Sequence, residues 1–117
     1  MAHSVLVVDD EPDIRQAIEE VLTDEGYTVF TARNGKDALD VLSRMSRPSL
    51  IVADILMPVM DGVELIEQLR RHEHHASIPV VVLSAASTVR PPEGTPVLRK
   101  PVGLDHLLAV VKANCRD

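Results

Sequence analysis

Five polar residues stand where apolar runs stop. Asp9 and Asp10 follow the run at 4–8, Asp54 follows 50–53, Ser84 follows 80–83, and Lys100 follows 96–99. Brought together, three carboxylates, a hydroxyl and an ammonium would define one kind of chemistry. Packed anions repel, raise one another's pKa and call for a cation. A donor set made only of oxygens selects a hard ion, and Mg²⁺ favours a few carboxylates completed by water and phosphate oxygens. Lys100 and the Ser84 hydroxyl would then suit a tetrahedral oxyanion beside the metal, with one carboxylate as nucleophile. Such a set points to phosphoryl chemistry centred on Asp54.

That chemistry requires elements that deliver all five residues to one place. The apolar stretches read as buried parallel strands at 4–8, 27–32, 50–53, 80–83 and 96–99. Between them lie helical patterns. Pro12 suits a first helical turn, and Ile14, Ala17, Ile18, Val21 and Leu22 form an apolar stripe that Gly26 ends. Asn34 is placed to cap a second helix with Ala38, Leu39, Leu42 and Met45 inward. Val63, Ile66 and Leu69 mark a third, ending in Arg70, Arg71 and His72, and the last carries Leu104, Leu107, Leu108 and Val111 inward. Strands alternating with helices imply an α/β fold: a doubly wound, five-stranded parallel sheet with helices on both faces. The acids, Ser84 and Lys100 then share the carboxyl edge of the sheet, where such folds bind ligands.

Length and composition set the outer limits. The 117 residues suit one domain spanning 1–117, with 45% apolar and 26% charged residues. A net charge of −6, with Tyr27 and Phe30 the only aromatic residues, argues against direct nucleic-acid binding. One cysteine, Cys115, excludes an internal disulfide. No apolar run is membrane-length, and the first residues lack the pattern of a secretion signal, so a cytoplasmic setting is expected. His72, His74 and His75 read as a solvated, cationic helix end rather than a metal site, with Glu73 the one acid beside them.

The chain resembles the response-regulator receiver domains of two-component signalling over essentially its whole length. The resemblance rests on Val7-Val8-Asp9-Asp10, on Asp54-Ile55-Leu56-Met57-Pro58-Val59-Met60-Asp61-Gly62, on Pro79 through Ser84-Ala85, and on Lys100-Pro101. It implies a CheY-like, flavodoxin-like strand order of 2-1-3-4-5. It implies that Asp54 accepts a phosphoryl group from a histidine of a sensor kinase or phosphotransfer protein. Asp10, Asp54 and the backbone carbonyl of Leu56 would hold Mg²⁺, with Asp9 acting largely through water. Ser84 would hydrogen-bond the phosphorylated state and Lys100 would pair with a phosphoryl oxygen, with a cis bond before Pro101. Such a domain catalyses only its own phosphorylation and dephosphorylation. It signals to a downstream effector and leaves open a phosphorylation-dependent homodimer.

Three departures from the family pattern shape the expectations. Val97 stands where receivers usually carry an aromatic switch residue. The stretch 85–95, with Pro91 and Pro92, is poor helix material, so the fourth helix of the family is expected to be shortened or lost. Leu56 and Ala86 are apolar at positions that tune hydrolysis in the family, which implies a long-lived phosphoryl group. The alternative is a pseudo-receiver, a docking scaffold whose switch is degenerate. An aspartyl-phosphate hydrolase would want an Asp-x-Asp nucleophile pair and a cap domain. A flavodoxin would want a Ser/Thr/Gly-rich phosphate loop where this chain has acids.

Overall fold

A computed structural model describes residues 3–85 and 90–115. Five parallel strands form one sheet: β1 (Ser4–Val8), β2 (Thr28–Ala32), β3 (Leu50–Asp54), β4 (Val80–Ser84) and β5 (Val97–Arg99). Their order is β2-β1-β3-β4-β5, as the resemblance implies. Four helices occur among the described residues: α1 (Pro12–Asp24), α2 (Gly35–Arg44) and α3 (Gly62–Arg71) make the crossovers between β1 and β4, and α4 (Leu104–Asn114) follows β5.

The alternation of side chains along each strand divides the core in two. Leu6, Val8, Ile51, Ala53, Val80 and Val82 face α2 and α3. Val5, Val7, Leu50, Val52, Val81 and Leu83 face α1 and α4. The central strands are apolar at successive positions because both faces are covered. Every residue of β3 and β4 is buried, including their terminal Asp54 and Ser84.

Helix ends follow local chemistry. The Asn34 side chain accepts from the Asp37 backbone N–H and caps α2. Asp61 and Glu64 form a reciprocal capping box that starts α3. Gly26, at φ +96°, closes α1, with Tyr27 N–H bonded to the Leu22 carbonyl and Gly26 N–H to that of Thr23. That closure draws Tyr27 out of β2, which begins at Thr28.

Two other expectations need correction. Leu104 is 47% exposed rather than inward, because it opens α4 beside the cleft against α1, while Leu107 and Val111 fill the core. The turn after α3 is not wholly solvated, since His75 is half-buried. Between β4 and β5 no helix occurs among the described residues, and Gly94 turns the chain at φ +87°. Of the expected fourth-helix stretch, 85–95, residues 86–89, Ala86 among them, lie outside the described residues. No helix among the described residues is long and apolar enough to cross a membrane.

Candidate functional site at the carboxyl edge of the sheet

Each site residue is delivered by the end of a strand. Asp9 directly follows β1, and its N–H continues the ladder to the Ala32 carbonyl at 3.2 Å. Asp9 is fully buried. Its Oδ1 accepts the Glu11 N–H at 2.9 Å, and its carbonyl accepts Arg15 Nη1 at 2.8 Å. Asp54 ends β3 at 5% exposure, and its Oδ1 accepts weakly from the Leu56 N–H at 3.4 Å. Ser84 ends β4 at 6% exposure. The Lys100 N–H donates to the Ser84 carbonyl at 2.9 Å, and the Lys100–Pro101 peptide is cis.

Lys100 ties these strand ends together. Its Nζ donates to Asp9 Oδ2 at 3.1 Å and to Asp54 Oδ2 at 3.0 Å. Glu11 Oε1 lies 3.5 Å from the same nitrogen. The carboxylates of Asp9, Asp10, Glu11 and Asp54 each place an oxygen within 4.8 Å of the others. Asp10 and Glu11 are exposed at the mouth, whereas Asp9 and Asp54 form the floor.

The electrostatics are unbalanced. Burial raises the Asp54 pKa and the charge of Asp9 raises it further, while hydrogen bonds from Lys100 and Leu56 oppose without prevailing. Burial alone would lower the Lys100 pKa, but the hydrogen bonds and charges of Asp54 and Asp9 outweigh it, and the net shift is upward. One ammonium thus pairs with three members, Asp9, Glu11 and Asp54, of a group of four carboxylates. The donor set is all oxygen, partly buried and in excess of its internal cation, which fits a hard divalent ion such as Mg²⁺.

The turn after β3 is packed tightly around Asp54. A Cβ on Gly62 would lie 2.7 Å from the Asp54 carbonyl oxygen and 2.9 Å from Ile55 Cα, so only glycine fits. Val59 has φ +71° and is 73% exposed, an uncommon conformation for a β-branched residue.

Asp9, Asp10, Asp54 and Lys100 therefore converge as their positions in sequence suggest, with Ser84 on the adjacent strand end. His72, His74 and His75 follow α3 and contribute nothing to this pocket. Sequence reasoning missed Glu11. Its place next to the acid pair was the available signal, but an acid just ahead of a helix normally reads as a partner for the helix dipole. Here the Glu11 side chain makes no cap hydrogen bond and its carboxylate pairs with Lys100 instead.

Comparison with known proteins agrees with the geometry. A probable transcriptional regulator ycf27 of Porphyra purpurea is 42% identical over 85 residues, 73% of this chain and 33% of that protein. Response regulator MprA of Mycolicibacterium vanbaalenii is 35% identical over 118 residues, covering 96% of this chain and 50% of its own length. The chain thus spans a third to a half of these relatives. The crystallised Vibrio cholerae chemotaxis protein CheY4 superposes with a TM-score of 0.87 at 30% identity, covering 97% of this chain and 99% of that one. The family described as the response regulator receiver domain matches residues 5–112, which takes in every strand-end residue of the pocket. With that match, the strand order and the acidic edge agreeing, the chain belongs to the response-regulator receiver domain family.

Proposed function

We propose that this domain, taken as residues 1–117, is a phosphoacceptor switch in which Asp54 receives a phosphoryl group from a phosphohistidine. The observation that carries this reading is Lys100, whose ammonium bridges the buried carboxylates of Asp9 and Asp54. In the transfer a carboxylate oxygen of Asp54 attacks phosphorus, the N–P bond breaks, and its electron pair returns to the donor imidazole. Lys100, already within hydrogen-bond reach of Asp54 Oδ2, turns to the incoming phosphoryl oxygens and offsets their charge. The Ser84 hydroxyl then holds the phosphorylated form. Asp10, Asp54 and the Leu56 carbonyl would hold Mg²⁺ directly, with Asp9 acting through water, and the ion would supply charge neutralisation at the phosphoryl oxygens. The domain acts on itself alone and turns over no metabolite.

Its partners are a sensor histidine kinase or histidine phosphotransfer protein upstream and an effector protein or domain downstream, in the cytoplasm. Phosphorylation-dependent homodimerisation is a further outcome of the same switch. The relatives named as transcriptional regulators are consistent with a DNA-binding output supplied by another domain, since the acidic receiver itself is unsuited to DNA.

A second reading is favoured by one residue. Val97, at 45% exposure on β5, offers no ring to couple the site to an output face, as a docking scaffold would not need one. Treatment with acetyl phosphate and Mg²⁺, followed by a Phos-tag gel, separates the two. A retarded band absent from Asp54→Asn supports the phosphoacceptor, and an unshifted wild-type band supports the scaffold.

A further inference from the structure

The helices run antiparallel to the strands they connect, so the carboxyl ends of α2 and α3 lie at the edge of the sheet opposite Asp54. They flank an open groove of about 560 Å³. Leu39, Leu42 and Met45 supply apolar surface, and Arg47, His72, His74 and His75 supply the rim. Among the described residues no Asp or Glu lines it: Asp40 on α2, Glu67 on α3 and Glu73 in the turn are all outside the lining. This gathering of basic side chains runs against a chain whose net charge is −6.

The rim is built rather than scattered. Arg47 is held by its Nη2 donating to Ser77 Oγ at 2.7 Å, which joins the loop after α2 to the loop after α3. The His72 and His75 rings stack with centroids 4.2 Å apart and planes 17° from parallel, and His74 lies 5.7 Å from His72. His75 Nδ1 is buried without a hydrogen-bond partner, a cost that buried polar atoms normally avoid. Burial, then the neighbouring His72, His74 and Arg47, hold its pKa below the ordinary imidazole value. The charges that shift it, those of His72, His74 and Arg47, are all basic.

A metal does not explain the cluster. Among the described residues, the group of three or more His, Cys, Asp or Glu side chains whose ligand atoms lie within 4.8 Å of one another is Asp9, Asp10, Glu11 and Asp54, and the histidines form no such group. Stacking also sets the His72 and His75 rings side by side rather than around a common centre. Nucleic acid is disfavoured by the overall acidity and by the lack of an aromatic platform of Phe, Tyr or Trp in the groove. Basic rim and apolar floor are complementary to something acidic and amphipathic.

We propose that this groove docks an acidic, amphipathic peptide segment of a partner protein. Apolar side chains of the segment rest on Leu39, Leu42 and Met45, and its carboxylates meet Arg47, His72 and His74. Carboxylates arriving beside the imidazoles favour their protonated form, so docking takes up protons and tightens as the pH falls through the histidine range. The groove lies away from the carboxyl edge, which leaves Asp54 open to a phosphodonor while a partner is held.

Selection of a displayed library of short random peptides on the intact domain, at about pH 6 where imidazoles charge, tests this. The expected winners are rich in Asp and Glu with one or two large apolar residues. Fluorescence anisotropy should show their affinity falling about tenfold or more in R47Q/H72Q/H74Q, and several-fold in R47Q or H74Q alone, both at exposed positions. Affinity should also fall on moving from about pH 6 to about pH 8. No enrichment, winners without acidic bias, or affinities indifferent to these substitutions would overturn the proposal. So would binding that needs added Zn²⁺ and is lost with EDTA, which would make the contact metal-bridged.

Discussion

Asp54 is the residue on which the site's energetics turn. Its folded-state pKa is raised, so between the unfolded and folded values the folded chain binds a proton there that the unfolded chain has released. The sign follows directly: the contribution to stability is fully present below the unfolded carboxylate pKa and is lost as pH rises through the raised folded value. At neutral pH without divalent ions, Asp54→Asn should therefore increase the melting temperature. The gain should shrink as acid protonates the wild-type residue, and also when Mg²⁺ is added to the wild type; a thermal-shift titration against pH reads both. Lys100→Ala acts in the opposite direction, because Asp9 is fully buried and would lose its ammonium. Breaking a buried pair costs about 3–5 kcal/mol, although protonation of Asp54 will recover part of it. Chemical denaturation at neutral pH measures the loss, and no change would mean that the bridge is not formed in solution.

Among the elements, the turn from β3 into α3 is the most constrained. Gly62→Ala would drive a methyl against the Asp54 carbonyl and Ile55 Cα, both backbone atoms that cannot swing aside. A loss of about 1–3 kcal/mol is expected, together with slower phosphorylation because the displaced backbone carries Asp54. Val59→Gly should do the reverse. Val59 is 73% exposed, so little packing is lost, and glycine relieves a left-handed conformation worth about 1 kcal/mol. Equilibrium unfolding of both variants decides the matter; equal effects would show that the turn is not held as described. The capping box of Asp61 and Glu64 explains why the chain re-enters a helix immediately after this turn.

For the whole molecule, the open issue is how a charge change at one edge reaches a partner. With Val97 exposed on the edge strand and no helix seen between β4 and β5 among the described residues, the familiar relay elements are reduced. A signal from the proposed phosphorylation would then run through β5, whose Arg99 pairs with Ser84 while Lys100 reaches the site. Amide shifts on adding beryllofluoride with Mg²⁺ should therefore extend beyond the pocket into residues 90–96 and α4. Shifts confined to the pocket would favour the scaffold. The two-faced core should stay put during this change, since its buried side chains are close-packed and resist graded deformation.

The sequence by itself determined the fold class and placed each strand to within a residue, and it singled out Asp9, Asp10, Asp54, Ser84 and Lys100 as the candidate site. It could do so because these signals are local: an apolar run that stops on a polar residue, a cap such as Asn34, a glycine such as Gly26. The strand order was legible only through family resemblance. Tertiary structure decided what depends on distance across the chain. It turned Glu11 toward Lys100 rather than onto its own helix, left Leu104 at the rim of a cleft, and half-buried His75 beneath its neighbours. In each case a residue far away in sequence takes part (Lys100 for Glu11, α1 for Leu104, Arg47 for His75), and periodicity along a single element carries no record of it.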